Sequence, residues 1–216
     1  RAYNFNGSNQ HISVAEDSQL EGNAHTLSLW IKASGVNDIY LAKDGYGSNR
    51  QWMIGSAAGT VDAHVWTSEG LKKLSSAKTL STGVWYHLAQ VWDGANLKLY
   101  IDGTLDSSMA AGGTLVAGNQ PVTMGGGPAF PTSNWFAGKL DDVRIYDRAL
   151  SAAEVEQLHL TESPDTDGDG LSDAYENGVG RYELIQGSFN WTQARDDATA
   201  RGGHLATITN ADEQSL

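Results

Sequence analysis

Up to about residue 150, apolar and polar positions alternate in short runs broken by Gly, Asn, Asp and Ser. In "TLSLWIK" (26–32), Leu27, Leu29 and Ile31 share one face, and Ser28, Trp30 and Lys32 share the other. In "TVDAHVW" (60–66), Val61, Ala63 and Val65 oppose Asp62, His64 and Trp66. A period of two marks strands with one face on a core. "WYHLAQVWDGANLKLYIDG" (85–103) reads as two strands joined through "DGAN", with Gly94 supplying the positive φ that a tight hairpin needs. A second such turn follows at Asp102-Gly103. Strands at this spacing with no helical stretch between them predict a mainly β, antiparallel β-sandwich.

The texture then changes twice. The stretch 110–134 holds three of the four prolines and reads as loops around one short strand, "PVTMG". The first helix is predicted at 150–160, "LSAAEVEQLHL": Ser151 and Glu154 form a capping box, and Leu150, Val155 and Leu158 form an apolar stripe. Beyond an acidic stretch, "NWTQARDDATARGG" (190–203) has a helical pattern closing on Gly202-Gly203. "HLATI" then reads as a short strand, and a further capped helix begins at Asn210 or Asp212. The expected organisation is a sandwich over 1–160, an acidic linker over 161–180 and a small, truncated α+β segment over 181–216.

Composition narrows the function classes. A formal net charge of -12 argues against nucleic acid, whose phosphates need basic stripes, and against an anionic membrane surface. No apolar run is long enough to cross a bilayer. The absence of cysteine fits a bacterial secreted protein that relies on bound calcium rather than disulfides. The chain opens on "RAYNFNG", a strand pattern rather than a signal peptide, and so reads as a piece of a longer protein.

The acidic stretch "PDTDGDGLSDAYENG" (164–178) fits a twelve-residue calcium loop. Asp165, Asp167 and Asp169 fall at positions 1, 3 and 5, and Gly170 falls at the sharp turn. Leu171 offers its backbone carbonyl at 7, Asp173 stands at 9, and Glu176 closes the loop at 12. Calcium takes six to eight hard oxygens, and this spacing delivers them from one turn. Pro164 ends any incoming helix, so the loop resembles thrombospondin type-3 and dockerin loops, with a metal-free acidic linker as the alternative. The expected role is a staple between domains.

"YNFNGSNQHISV", "TLSLWIKA", "WYHLAQVWDGANLKLYIDG" and "FAGKLDDVRIYDRALSAAEVEQL" together resemble the laminin-G-like, concanavalin A-like jelly-roll lectin domain over residues 1 to about 160. The resemblance implies two stacked antiparallel sheets, a face used for sugars and a structural calcium. It would place that calcium on Asp141 with oxygens from Asn6 and Gly7; the alternative is an Asp141 paired with Arg144 or Lys139. Residues 182–216 resemble the start of a C-type lectin-like domain. Ala198 stands where that family has a cysteine, and the family's sugar-calcium motifs lie beyond these residues.

For sugar binding, the candidate ligand-binding residues are Asp62, His64 and Trp66 on the outward face of their strand, with Trp52, Trp135 and Tyr46 as an aromatic platform. The alternative is an ordinary sandwich surface, and Trp30, Trp85 and Trp92 are expected in packing. No strand carries the glutamate pair of retaining glucanases, and no Gly-x-Ser-x-Gly elbow, cysteine or zinc-spaced histidine pair is present. The expectation is a non-catalytic, calcium-stabilised carbohydrate-binding or adhesion module of a larger secreted or cell-surface bacterial protein. Its partner would be a glycan; a spacer or protein-binding module is the second reading, and a jelly-roll hydrolase or lyase the third.

Overall fold

The computed structural model describes residues 2–45, 49–127 and 134–162, together with Asn190, Thr192, Gln193, Arg195 and Asp196. The chain divides into two compact units, Arg1–Pro164 and Asp165–Leu216. In the second unit Asn190 and Gln193 exchange reciprocal hydrogen bonds, each side chain accepting from the other's backbone N–H at 3.0 and 2.9 Å. Residues 192–193 and 195–196 are helical, so the pattern read at 190–203 begins on its own capping box. The acidic loop and the rest of the C-type lectin-like reading lie outside the described residues.

The first unit is two six-stranded antiparallel sheets. The first sheet runs in the order β1 (Tyr3–Asn6), β12 (Ala137–Tyr146), β3 (His25–Ala33), β8 (Trp85–Trp92), β9 (Asn96–Ile101), β10 (Thr104–Ala110). The second runs β2 (Ile12–Val14), β11 (Val122–Met124), β4 (Ile39–Lys43), β5 (Trp52–Ala57), β6 (Thr60–Thr67), β7 (Gly70–Thr79). The alternation in the sequence fixes which side chains meet between them. Leu27, Leu29 and Ile31 from one sheet and Val61, Ala63 and Val65 from the other are all fully buried in one core. Burial of this kind supplies the main driving force, at about 25 cal/mol per Å² of apolar surface. The predicted hairpins are present: Asp93 N–H donates to the Asn96 carbonyl at 3.1 Å. At the β9–β10 turn Asp102 and Gly103 both have positive φ, 50° and 73°, as a two-residue hairpin of the primed type requires.

Side chains close the sandwich at one edge. The Asp106 carboxylate on β10 accepts from the backbone N–H groups of Ala77 and Lys78 on β7, at 2.7 and 3.0 Å. Outward N–H groups of an edge strand are thereby occupied within the protein, which removes them as a template for another chain.

Helix α1 (Ala152–Glu162) seals the outer face of the first sheet. Its start is the predicted capping box: Ser151 N–H donates to Glu154 Oε2 at 2.8 Å, and Glu154 N–H to Ser151 Oγ at 3.3 Å. Val155 and Leu150 pack with Ala89, Val91 and Tyr100 of the sheet, and Leu158 lies against them partly buried. His159 stacks on Trp30, with centroids 5.5 Å apart and planes at 23°. A Cβ at Gly103 would stand 3.2 Å from His159 Cβ, so that turn also needs glycine to admit the helix. Trp30, read as a packing residue, is thus buried under the helix, whereas Trp92 lies in the central core and Trp85 is half-buried.

Two buried histidines tie stability to pH. His25 lies between Trp52 and Trp92, 6.0 and 5.5 Å away, and burial pushes its pKa down to about 3. His87, beneath α1 and 2.9 Å from Ser28 Oγ through Nε2, is also pushed down to about 3. Burial is the main cause there, and the neighbouring His159 adds to it. The unfolded chain takes up these protons near pH 6.5, whereas the folded chain does so only near pH 3. Their stabilising contribution is therefore complete above about pH 6.5 and is lost as pH falls toward 3. A His87→Gln variant, which retains a partner for Ser28, should lose less stability than the wild type between pH 6.5 and 4.5. The difference should be at most about 1.4 kcal/mol per pH unit, read from denaturant midpoints. Parallel pH profiles would contradict this account.

Candidate functional site

Helix α1 covers the first sheet, and the candidate site lies on the outer face of the second. Because Val61, Ala63 and Val65 point inward, the pleat turns Asp62, His64 and Trp66 outward, as predicted. The antiparallel register aligns Ser13, Thr123, Ala42, Met53, His64 and Lys73 across all six strands. One row along, Gly55, Asp62 and Ser75 are aligned. Ile39, Ala42 and Met53 form a buried apolar floor, and Trp66 packs against it half-buried.

The polar groups of this face are tightly matched. Asp62 is buried; its carboxylate takes Lys73 Nζ at 2.8 Å on one oxygen and the Ser75 hydroxyl at 2.6 Å on the other. The Arg50 guanidinium lies over the Trp66 ring, 4.0 Å from its centroid. The Nε and Nη2 groups of that guanidinium donate to the buried Asp44 carboxylate at 2.8–3.0 Å. His64 meets Trp66 edge-on, with centroids 5.4 Å apart and planes at 74°.

Burial is the main cause pushing the His64 pKa down to about 4; Asp62 and Asp44 oppose that shift, whereas Lys73 and Arg50 reinforce it. At neutral pH His64 is an uncharged imidazole, and both of its ring nitrogens lack a hydrogen-bond partner in the protein. Both nitrogens are also buried, so the ring contributes to the face as a packed, neutral group beside Trp66 rather than as a donor or acceptor at the surface.

The other candidates separate. Trp52 is not part of a platform. It pairs with Val65, so the same pleat that turns Trp66 outward turns Trp52 into the core, where it is completely buried. Trp135 bridges to Ile39 beside the apolar floor, and its ring meets His11 edge-to-face at 5.5 Å. Tyr46 lies outside the described residues, as do Asp165, Asp167, Asp169, Leu171, Asp173 and Glu176.

The expected joining of Asp141 with Asn6 and Gly7 is also corrected. Asn6 pairs with Ala137 on β12, so Asp141 stands four residues further along the ladder, about 13 Å away at strand rise. The side chain of Asn6 caps its own turn instead, accepting from Ser8 and Asn9 N–H. Asp141 accepts from Asp142 N–H across a bulge, and Arg144 pairs with Asp142 and Glu162 rather than with Asp141. Among the described residues no group of three or more His, Cys, Asp or Glu is arranged to hold a metal ion.

Sequence reasoning missed Arg50, Asp44, Lys73 and Ser75. The last two were legible, since the inward Leu74 between them turns both to the outer face. Arg50 and Asp44 flank the stretch "GYGSN", whose sequence has no strand periodicity to read.

Two stacked antiparallel sheets with a C-terminal helix on one outer face define the lectin-type sandwich. A family model, Laminin_G_3, for the Concanavalin A-like lectin/glucanases superfamily matches residues 6–156, and the chain belongs to that family. It is similar to neuronal pentraxin-1 of Rattus norvegicus, at 25% identity over 202 residues that cover 85% of this chain and 44% of that protein. The chain spans less than half the length of the curated relatives it matches.

Among solved structures it is similar to domain 4 of AbnA, a GH43 extracellular arabinanase from Geobacillus stearothermophilus, in complex with arabinotriose. The TM-score is 0.58 at 23% identity, covering 73% of this chain and 76% of that one. It is also similar to the Ruminococcus gnavus IT-sialidase CBM40 bound to alpha2,3 sialyllactose. There the TM-score is 0.60 at 16% identity, covering 74% and 96%. These structures share the fold with this chain.

The contrast between the two tryptophans is measurable. Trp52→Ala should cost about 3–5 kcal/mol of unfolding free energy, the usual range for emptying a core site. Trp66→Ala, which removes a half-buried ring, should cost no more than about 2 kcal/mol. The reverse order would contradict the placement of the two rings.

Proposed function

We propose that this chain is a non-catalytic carbohydrate-binding module of a larger secreted or cell-surface protein of bacterial type. The observation that carries the reading is the asymmetry of the sandwich. Helix α1 occupies the outer face of the first sheet. The second sheet's outer face instead gathers a half-buried imidazole, a half-buried indole and two ion pairs on β6, β7 and the residues between β4 and β5. Flat rings beside hydrogen-bonding groups suit a sugar, whose C–H faces are apolar and whose hydroxyls both donate and accept. The two acids of the face, Asp44 and Asp62, are each held by a cation, which disfavours the free acid and base that glycoside hydrolysis requires.

Calcium is part of the proposal through the 165–176 loop. Its donor set, four aspartates, one glutamate and a backbone carbonyl, is hard oxygen throughout and fits calcium. Bound there, the ion would stiffen the segment that follows the sandwich and take no part in chemistry. A spacer or protein-adhesion module is the second reading. It is favoured by the burial of Asp62 and by Arg50, which covers one face of the Trp66 ring.

On a glycan array the protein should bind at least one glycan class. His64→Ala and Trp66→Ala should lose that signal while remaining folded. A silent array from folded protein would favour the spacer reading. Asp167→Ala or Glu176→Ala should weaken calcium binding in calorimetry and expose the linker to protease without lowering the melting temperature of the sandwich. A linker as protease-resistant in chelator as in calcium would show that the loop is no staple.

A further inference from the structure

The two solved neighbours carry a neutral and an acidic saccharide respectively, so the fold by itself does not set the class of glycan. The charges of this chain's own face do. Among the described residues its charged groups form two ion pairs, Asp44 with Arg50 and Asp62 with Lys73, each with a 2.8 Å contact. Both carboxylates are buried, and the Arg50 plane is fixed between Asp44 and the Trp66 ring. We propose that the outer face of the second sheet takes a neutral glycan, and takes it without a divalent cation. The proposal rests on the carbohydrate-binding reading and deepens it.

An anionic sugar could reach the spare N–H groups of Arg50 and Lys73, but their charge is already matched by the carboxylates bonded to them, and to form a new ion pair it would have to displace one. The displaced Asp would remain buried without its partner, which is strongly unfavourable. Left unmatched, the sugar's own charge would lose hydration with no return, in a chain whose net charge is already -12. A divalent cation faces the same obstacle. It needs several free oxygen ligands, and the acids of this face are already engaged by built-in cations. Neutral hydroxyls face neither obstacle. They accept from the spare N–H groups of the part-exposed Arg50 and Lys73 without disturbing either pair. The groups that face His64, namely Asp62, Lys73, Arg50, Asp44 and Trp66, sum to no net charge. The ring itself remains neutral down to about pH 5, since its pKa is about 4.

The test uses the whole chain against two panels, neutral polysaccharides (mannan, galactan, arabinan, β-glucan) and acidic ones (polygalacturonate, alginate, a sialylated oligosaccharide). Each panel is run in calcium and in EDTA, with wild type and Asp62→Asn. The wild type should bind a neutral glycan with the same affinity in both buffers and bind no acidic one. Asp62→Asn, which leaves Lys73 without its carboxylate, should bring acidic-glycan binding from undetectable to detectable at high ligand concentration, as expected for one weak ion pair. Binding of acidic glycans by wild type, or loss of neutral-glycan binding in EDTA, would overturn the inference and leave the carbohydrate reading standing. Folded protein that binds neither panel would overturn both.

Discussion

The seat of α1 against the first sheet decides which part of the molecule is left to function. Val155 is fully buried among Ala89, Val91 and Tyr100, and His159 lies flat on Trp30. The loop that delivers the helix is fastened by Thr26, whose hydroxyl donates to the Arg148 carbonyl and accepts from Leu150 N–H, both at 2.9 Å. A strand residue near the start of the chain thus fixes the entry point of a helix more than 120 residues later. With that contact made, the first sheet's outer face is covered by the helix, and the second sheet's keeps Trp66 half-buried and Lys73 exposed above a buried floor.

The surface that remains is rigid because its charges are internal. Arg50 is stacked on Trp66 and forked onto Asp44, and Lys73 reaches diagonally to Asp62. The sheet beneath is tied to its partner through the core, since Gln90 of β8 donates to the His64 carbonyl at 3.2 Å. At the far end of β4 a fully buried Lys43 gathers Glu21 Oε1, Gln51 Oε1 and the Gly118 carbonyl around its ammonium. That contact pins the segment before β3 and the segment after β10 to the end of the second sheet. Removing one partner of such a buried cluster is costlier than never having built it.

Much of this was legible in the sequence, for a simple reason. Alternation in "TLSLWIK" and "TVDAHVW" states which side chains face the core, and Ser151 with Glu154 states where the helix begins. The outward placement of Asp62, His64 and Trp66 follows from the same period of two. What the pattern could not show was register. Trp52 reads like Trp66 until the β5–β6 pairing sets it opposite Val65, and Asn6 and Asp141 look joinable until β1 is aligned on Ala137. The stacking of Arg50 on Trp66 was equally invisible, because it joins a turn residue to a strand residue sixteen positions away. Local pattern encodes faces; the contacts that shape a site are encoded across strands.

Function on this sandwich turns on one spatial relation, that ligand meets the face opposite α1. Backbone amide shifts followed during titration with a neutral glycan test that claim directly. The account predicts perturbations concentrated on Met53, Asp62, His64, Trp66, Lys73 and Thr123. Perturbations centred on β8, β9 and α1, or confined to residues beyond 164, would contradict it.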